Sequence, residues 1–224
     1  MGKVPVFSSL SGQNLASVAA LIRRREYPKG EILFAEGDRL DDLVIVNAGS
    51  VKAYTIAPDG REQILYVFSE GDFFGERNLF DGRTAPYTLQ ALEEVKTCAF
   101  SREDFRALIA DHPDIALAVM EALQTRIARM ENALRSIGVR SVDARVSALM
   151  LEFAEKYGKP VPEGVLIRLP LSREGMANYL GIARETVSRK LGQLEAEGVI
   201  RSISGKSLLI LDREALRQSA GVLS

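Results

Sequence analysis

The sequence predicts an α+β protein in three parts: an N-terminal antiparallel β-roll, one long helix, and a C-terminal winged helix-turn-helix. Glycines fall at 30, 37, 49, 60, 71, 75 and 82, with short β-rich runs between them. Apolar residues then recur at spacings of 4,3,4,3,4,3 from Ala116 to Ile137. Further on, two short amphipathic segments meet at Gly181 and are followed by VIRSISGKSLLILD, a hairpin pattern. The expected divisions are 1–110 for the β-roll with a short leading helix, 111–138 for the long helix and 139–224 for the winged part.

The totals narrow the class. Of 224 residues, 46% are hydrophobic and 26% charged, as in water-soluble globular chains. No apolar run approaches the roughly 20 residues of a membrane span. MGKVPVFSSL lacks the apolar core of about 7–15 residues that marks a signal peptide. A cytoplasmic chain with no membrane partner is expected. Net charge is −1, but residues 139–224 hold 13 Lys/Arg against 10 Asp/Glu and residues 1–138 hold 16 against 20. The C-terminal part is therefore the basic one, which is the sign a nucleic-acid partner requires. A single cysteine, Cys98, rules out an intramolecular disulfide and a four-cysteine iron–sulfur cluster.

Residues 4–26 read as a helix capped at Ser11, with Leu15, Val18, Ala19 and Ile22 on one face. It ends in Arg23, Arg24 and Arg25, cations suited to the negative end of a helix dipole. From Tyr27 to Phe100 the runs EILFAEG, DLVIVNAG, SVKAYTIA and EQILYVFS read as strands, with a hairpin turn at Pro58-Asp59-Gly60. Short strands at this spacing predict an antiparallel sandwich, barrel or jelly roll, with no room for a doubly wound nucleotide fold. Cys98, within VKTCAF, reads as a small buried hydrophobe.

A short helix over 102–110 precedes Asp111-His112-Pro113, which opens the long helix with proline in its first turn. Ala116, Met120, Leu123, Ile127, Met130, Leu134 and Ile137 occupy a and d positions, the seam of a coiled coil between two copies of the chain. With Met120 at a, Arg126 falls at g and Glu131 at the following e, the pair that bridges parallel strands. Gly138 ends the helix. An amphipathic helix over 141–157 turns Val146, Leu149, Met150 and Phe153 inward, and a loop at Gly158-Lys159-Pro160 leads to the strand VLIRLPLS.

Ser172 is a natural N-cap for the next helix, which carries Met176, Ala177 and Leu180 on one face and stops at Gly181. A second helix from about Arg184 buries Val187, Leu191 and Leu194. The small Ala177, the turning Gly181 and the pinning Val187 have the spacing of a helix-turn-helix. Its second helix exposes Arg184, Glu185, Ser188 and Arg189, which with Thr186 are the candidate DNA-contacting residues of that helix. Arginine bonds guanine O6 and N7 bidentately, glutamate accepts from cytosine N4, and serine reaches either pair. The N-terminal part of such a helix is the part that meets base edges.

Together these parts resemble the cyclic-AMP receptor protein/fumarate-nitrate regulator (CRP/FNR) family over about residues 10–215, carried by KGEILFAEGD, EGDFFGE and ARETVSRKL. The resemblance implies a cyclic-nucleotide-binding-like jelly roll that senses an effector. It also implies a homodimer that binds a palindromic, TGA-core operator and contacts RNA polymerase. Arg173 matches a phosphate-contacting position of that family.

Cyclic-nucleotide binders of the family carry Gly-Glu and, several residues on, Arg-Ser/Thr-Ala; the glutamate holds the ribose hydroxyl and the arginine the phosphate. Here Gly75 and Glu76 match, but DGRTAPYTLQALE aligned without gaps puts Ala85 and Pro86 in the Arg and Ser/Thr places. Arg83 and Thr84 stand two residues early. In an extended strand that shift keeps the face but moves the side chain about 6–7 Å. Where the cyclic-AMP branch has Thr-Ser on the long helix, this chain has Met130 and Glu131. The effector pocket is thus expected around Gly75, Glu76, Arg83, Thr84, Met130 and Glu131. The departures argue against cyclic AMP and leave the effector unknown. Haem would need axial ligands, and His112, the single histidine, reads as a helix cap. A cyclic-nucleotide-dependent activator remains the alternative. A cupin-like metal enzyme is opposed by a β region without histidine.

Overall fold

The computed structural model describes residues 18, 21–77, 84–139 and 141–221; the side chains of 129 and 132–139 are not described. Two compact units divide at residues 129 and 130.

The first unit contains strands β1 (Arg23–Tyr27), β2 (Ile32–Phe34), β3 (Asp42–Ala48), β4 (Ser50–Ile56), β5 (Glu62–Ser69), β6 (Phe73–Phe74), β7 (Thr88–Ala91) and β8 (Val95–Ser101). They form two four-stranded sheets, ordered β1-β8-β3-β6 and β2-β7-β4-β5. All pairs are antiparallel, giving the double-sheet jelly roll. Val44, Val46, Val51, Ala53, Phe68, Phe74 and Leu89 fill the space between the sheets. Leu43, Ile45, Phe73 and Phe100 point the other way, against Phe105, Leu108, Ile115 and Val119 of the helices that follow. The first sheet is therefore apolar on both faces. That is why DLVIVNA runs as continuous hydrophobe rather than alternating with polar residues.

The expected turn closes the β4–β5 hairpin, with the Gly60 N–H donating to the Ala57 carbonyl at 2.8 Å. Helix α1 (Arg102–Asp111) is capped by Ser101, whose side chain accepts from the Asp104 N–H. The His112 N–H donates to the Leu108 carbonyl at the end of α1, and its own carbonyl accepts from the Ile115 N–H at 3.0 Å, so this histidine caps both α1 and the start of the next helix. Helix α2 spans Pro113–Val139.

The leading segment differs from expectation. Residues 4–17, 19 and 20 lie outside the described residues, but Arg23, Arg24 and Arg25 do not end a helix. They form β1, paired in register with Ala99, Cys98 and Thr97 of β8. An edge strand leaves arginine side chains exposed as readily as a helix end does, so composition alone did not separate the two.

The second unit holds α3 (Val142–Tyr157), β9 (Gly158–Val161), β10 (Gly164–Arg168), α4 (Arg173–Leu180), α5 (Arg184–Ala196), β11 (Ile200–Ser204), β12 (Ser207–Ile210) and α6 (Arg213–Ser219). A sheet ordered β11-β12-β10-β9 underlies it. Val146, Met150, Ile167, Met176, Val187, Leu194 and Leu216 are fully enclosed. The stretch expected to be a loop at Gly158-Lys159-Pro160 is strand β9, paired with β10. Pro160 is tolerated there because β9 is an edge strand. Helix α6 was not anticipated; its signal is Asp212, whose side chain accepts from the N–H groups of Glu214 and Ala215.

Candidate functional site

The helix-turn-helix is set by its corner. The Ser172 hydroxyl accepts from the Gly175 N–H at 3.1 Å and starts α4. Gly181 ends it at φ 64° and ψ 41°, in the left-handed region where a side chain would be strained. The Ile182 N–H then returns to the Ala177 carbonyl at 3.1 Å. Ala177 and Val187, both buried, hold the two helices together.

Burial of Val187, Leu191 and Leu194 turns the opposite face of α5 outward. Arg184, Glu185, Ser188 and Arg189 are exposed there, with Thr186 and Arg173 half-buried beside them. At the far end of α5, Glu195 accepts from the Ser202 N–H at 2.7 Å and from its hydroxyl at 3.2 Å, clasping the wing strand β11. The turn between β11 and β12 presents Ser204, Gly205 and Lys206 to solvent, preceded by an exposed Ile203. A rigid helix thus carries two arginines, a glutamate and a serine beside a flanking hairpin. That constellation can read base edges from a groove.

Neither arginine is bare. Arg189 Nη2 lies 3.3 Å from Asp143 Oδ1 on α3, and Arg184 Nε lies 3.9 Å from Glu174 Oε2 on α4. The helix-turn-helix pattern assigns no role to Asp143 or Glu174. Each sits in the first turn of its helix, where an acid is favoured on dipole grounds alone, which hides any second role.

Gly75 and Glu76 of the expected effector pocket line a narrow cleft in the first unit, with Leu40, Phe74, Ala85 and Tyr87 among its other residues. Gly75 has φ +88°, and a Cβ there would lie 2.2 Å from the Asp42 carbonyl oxygen, so only glycine allows this approach. The tight passage aims Glu76 inward. Its Oε1 accepts from Arg126 Nη1 at 2.8 Å, and Arg126 Nη2 donates to the Phe73 carbonyl at 2.5 Å. The guanidinium lies 5.1 Å from the ring centroids of Phe68 and Phe73. Glu76 Oε2 is buried and accepts no hydrogen bond. Burial, and then the Glu76 charge, push the Tyr87 phenol above its ordinary pKa.

The heptad puts Arg126 at a g position, opposite Glu131 of a second copy; in the structure its guanidinium is already engaged on Glu76 and Phe73 within its own unit. Heptad lettering compares a helix only with a copy of itself, so it missed a carboxylate 50 residues away.

Thr84 is exposed, and Met130 and Glu131 are exposed on α2. Arg83 lies outside the described residues. Ala85, in the place where the ungapped alignment put the phosphate arginine, is 2% exposed. Its N–H is donated to the Asp38 carbonyl and its own carbonyl accepts from the Gly37 N–H.

Along α2, Met120, Ile127 and Met130 are 57%, 55% and 42% exposed, and Leu117 joins them at 57%. Leu123 instead packs partly against the β-roll core. The side chains of Leu134 and Ile137 lie outside those described. Buried Cys98 has its thiol pushed above the usual pKa by burial. Among the described residues no helix is long and apolar enough to cross a membrane. No group of His, Cys, Asp and Glu among them is placed to hold a metal ion.

A jelly roll followed by a winged helix-turn-helix defines a two-part DNA-binding transcription regulator. Residues 24–112 match the cyclic nucleotide-binding domain and residues 144–219 the Crp-like helix-turn-helix domain. Over 220 residues the chain is 31% identical to the CRP-like cAMP-activated global transcriptional regulator of Mycobacterium tuberculosis, covering 98% of each. It is 29% identical over 199 residues to the fumarate and nitrate reduction regulatory protein of Escherichia coli, covering 89% of this chain and 79% of that one. Among solved structures, FixK2 from Bradyrhizobium japonicum has the same fold at a TM-score of 0.79 and 23% identity, covering 91% of this chain and 99% of that one. The chain belongs to the CRP/FNR family of transcription regulators.

Proposed function

We propose that the chain works in the cytoplasm as a homodimer that binds a palindromic operator with a TGA-like core. In this reading α5 enters the major groove, with Arg184, Glu185, Ser188 and Arg189 on base edges and Thr186 and Arg173 on the backbone. RNA polymerase is the further partner that the family implies. The observation that carries the reading is the exposed face of α5, rigidly held by the Gly181 corner and the Glu195 clasp. The exposed apolar residues Leu117, Met120 and Ile127 support a second copy along α2.

We further propose that the β-roll responds to a signal other than a cyclic nucleotide. A buried methyl group at Ala85, with its N–H already donated, offers a cyclic phosphate no charge-assisted bond. The cyclic-nucleotide-dependent reading has one observation in its favour, the unsatisfied Glu76 Oε2, which suits a ligand hydroxyl. Titration of a symmetric TGA-core duplex with and without cyclic AMP tests both. Tight, nucleotide-independent binding is expected, with no rise in melting temperature. Millimolar nucleotide of micromolar affinity would stabilise the protein by about 4 kcal/mol, and such a shift, abolished in Arg83→Ala, would favour the second reading.

A further inference from the structure

We infer that Asp143 is a positioning residue that sets operator specificity by holding Arg189 for base reading and withholding it from phosphates. The inference rests on the proposed reading of α5 as the recognition helix. Asp143 takes Arg189 through Nη2 alone, at 3.3 Å. Arginine has five N–H donors in a fixed fork; the carboxylate takes one of the two Nη2 hydrogens, and the other Nη2 hydrogen with its neighbour on that edge still offers a bidentate pair to a guanine. The acid comes from α3, a different helix, whose first turn is fixed by the Ser141 side chain accepting from the Ala144 N–H. It restrains a long side chain that would otherwise sweep a wide volume.

The two side chains are 66% and 40% exposed, so the pair is weak and exchangeable rather than locked. On non-operator DNA, Arg189 meets only phosphates. A phosphate brought to Arg189 then stands beside the like-charged Asp143 carboxylate, so the contact gains little. At a matching guanine a bidentate bond forms while the carboxylate can keep its single hydrogen, and the recognition is favoured. Glu174 stands in a similar relation to Arg184, but at 3.9 Å its hold is looser.

The test compares Asp143→Asn with Glu155→Gln, which removes one charge from the same helix at its contact with Arg213. Operator and scrambled duplexes are titrated across a salt series. Asp143→Asn is expected to bind scrambled DNA about three- to fivefold more tightly, with operator affinity level or lower. Its scrambled-DNA salt dependence should steepen by about one counterion, reporting an added Arg189–phosphate contact. In Asp143→Asn/Arg189→Ala both effects should vanish. Equal tightening on both duplexes, matching Glu155→Gln, would reduce Asp143 to a general charge effect and overturn the proposal. A lowered melting temperature with an unchanged specificity ratio would reduce it to a helix-end acid and overturn it too. If Arg189→Ala leaves operator binding intact, the reading of α5 itself has failed, a separate result.

Discussion

Each compact unit contains an arginine held by a carboxylate, and the two pairs differ in kind. Arg126 and Glu76 are 2.8 Å apart with side chains 19% and 13% exposed; Arg189 and Asp143 are 3.3 Å apart at 66% and 40%. Two unit charges about 4 Å apart interact by about 1 kcal/mol in water and about 4 kcal/mol at an effective dielectric near 20. The first pair is also framed by two aromatic rings and a backbone carbonyl, so it belongs to the fold. The second is a resting contact that a base edge can displace or extend. The same chemistry thus serves as a strut in the β-roll and as an adjustable reader on α5, and solvent exposure decides which.

The largest expected effect tests the strut. Arg126→Ala leaves Glu76 buried with neither oxygen paired, because Oε2 already lacks a donor. Removing one partner of a buried pair costs about 3–5 kcal/mol, and urea unfolding should show that loss. A loss below about 1 kcal/mol would mean that water reaches Glu76, and the contrast between the pairs would disappear.

The two regions were also unequally legible in sequence. The reading head is local: Ser172, Ala177, Gly181 and Val187 lie within one short stretch, and cap, corner and packing follow from spacing. Most β-roll strands were legible too, because glycines punctuate them. What escaped depends on distant partners. Arg126 finds Glu76 only after the jelly roll has closed, and Arg189 meets Asp143 across 46 residues. Strand β1 escaped because its three arginines pair with β8 residues more than 70 positions away while mimicking a helix end. Strand β9 escaped because Gly158 and Pro160 read as a turn; β10 and the edge position make them a strand.

The middle-sized prediction separates neighbours on one helix. Arg126 faces the β-roll, whereas Ile127, one residue on and about 100° around α2, is 55% exposed. Ile127→Asp should leave the unfolding of the β-roll nearly unchanged. At a seam between two copies it would bury an unpaired charge, at a cost of about 3 kcal/mol or more to the dimer. Light scattering should then find monomers at concentrations where the parent chain is dimeric. An unchanged dimer would rule out the α2 seam and move the interface elsewhere.

The smallest effect on stability comes from the reader. Arg189→Ala removes a pair so exposed that unfolding should shift by no more than about 0.5 kcal/mol. Its cost appears only with DNA present. Loss of a bidentate guanine contact should weaken operator binding by about 1–3 kcal/mol per half-site and relax preference at that base pair. Arg173→Ala provides the contrast: as a backbone contact it should weaken all sequences alike and flatten the salt dependence by about one counterion. Equal losses on operator and scrambled DNA for Arg189→Ala would make it another phosphate contact. A stability loss near that of Arg126→Ala would make it another strut, because an arginine kept free to read a base cannot also hold the fold together.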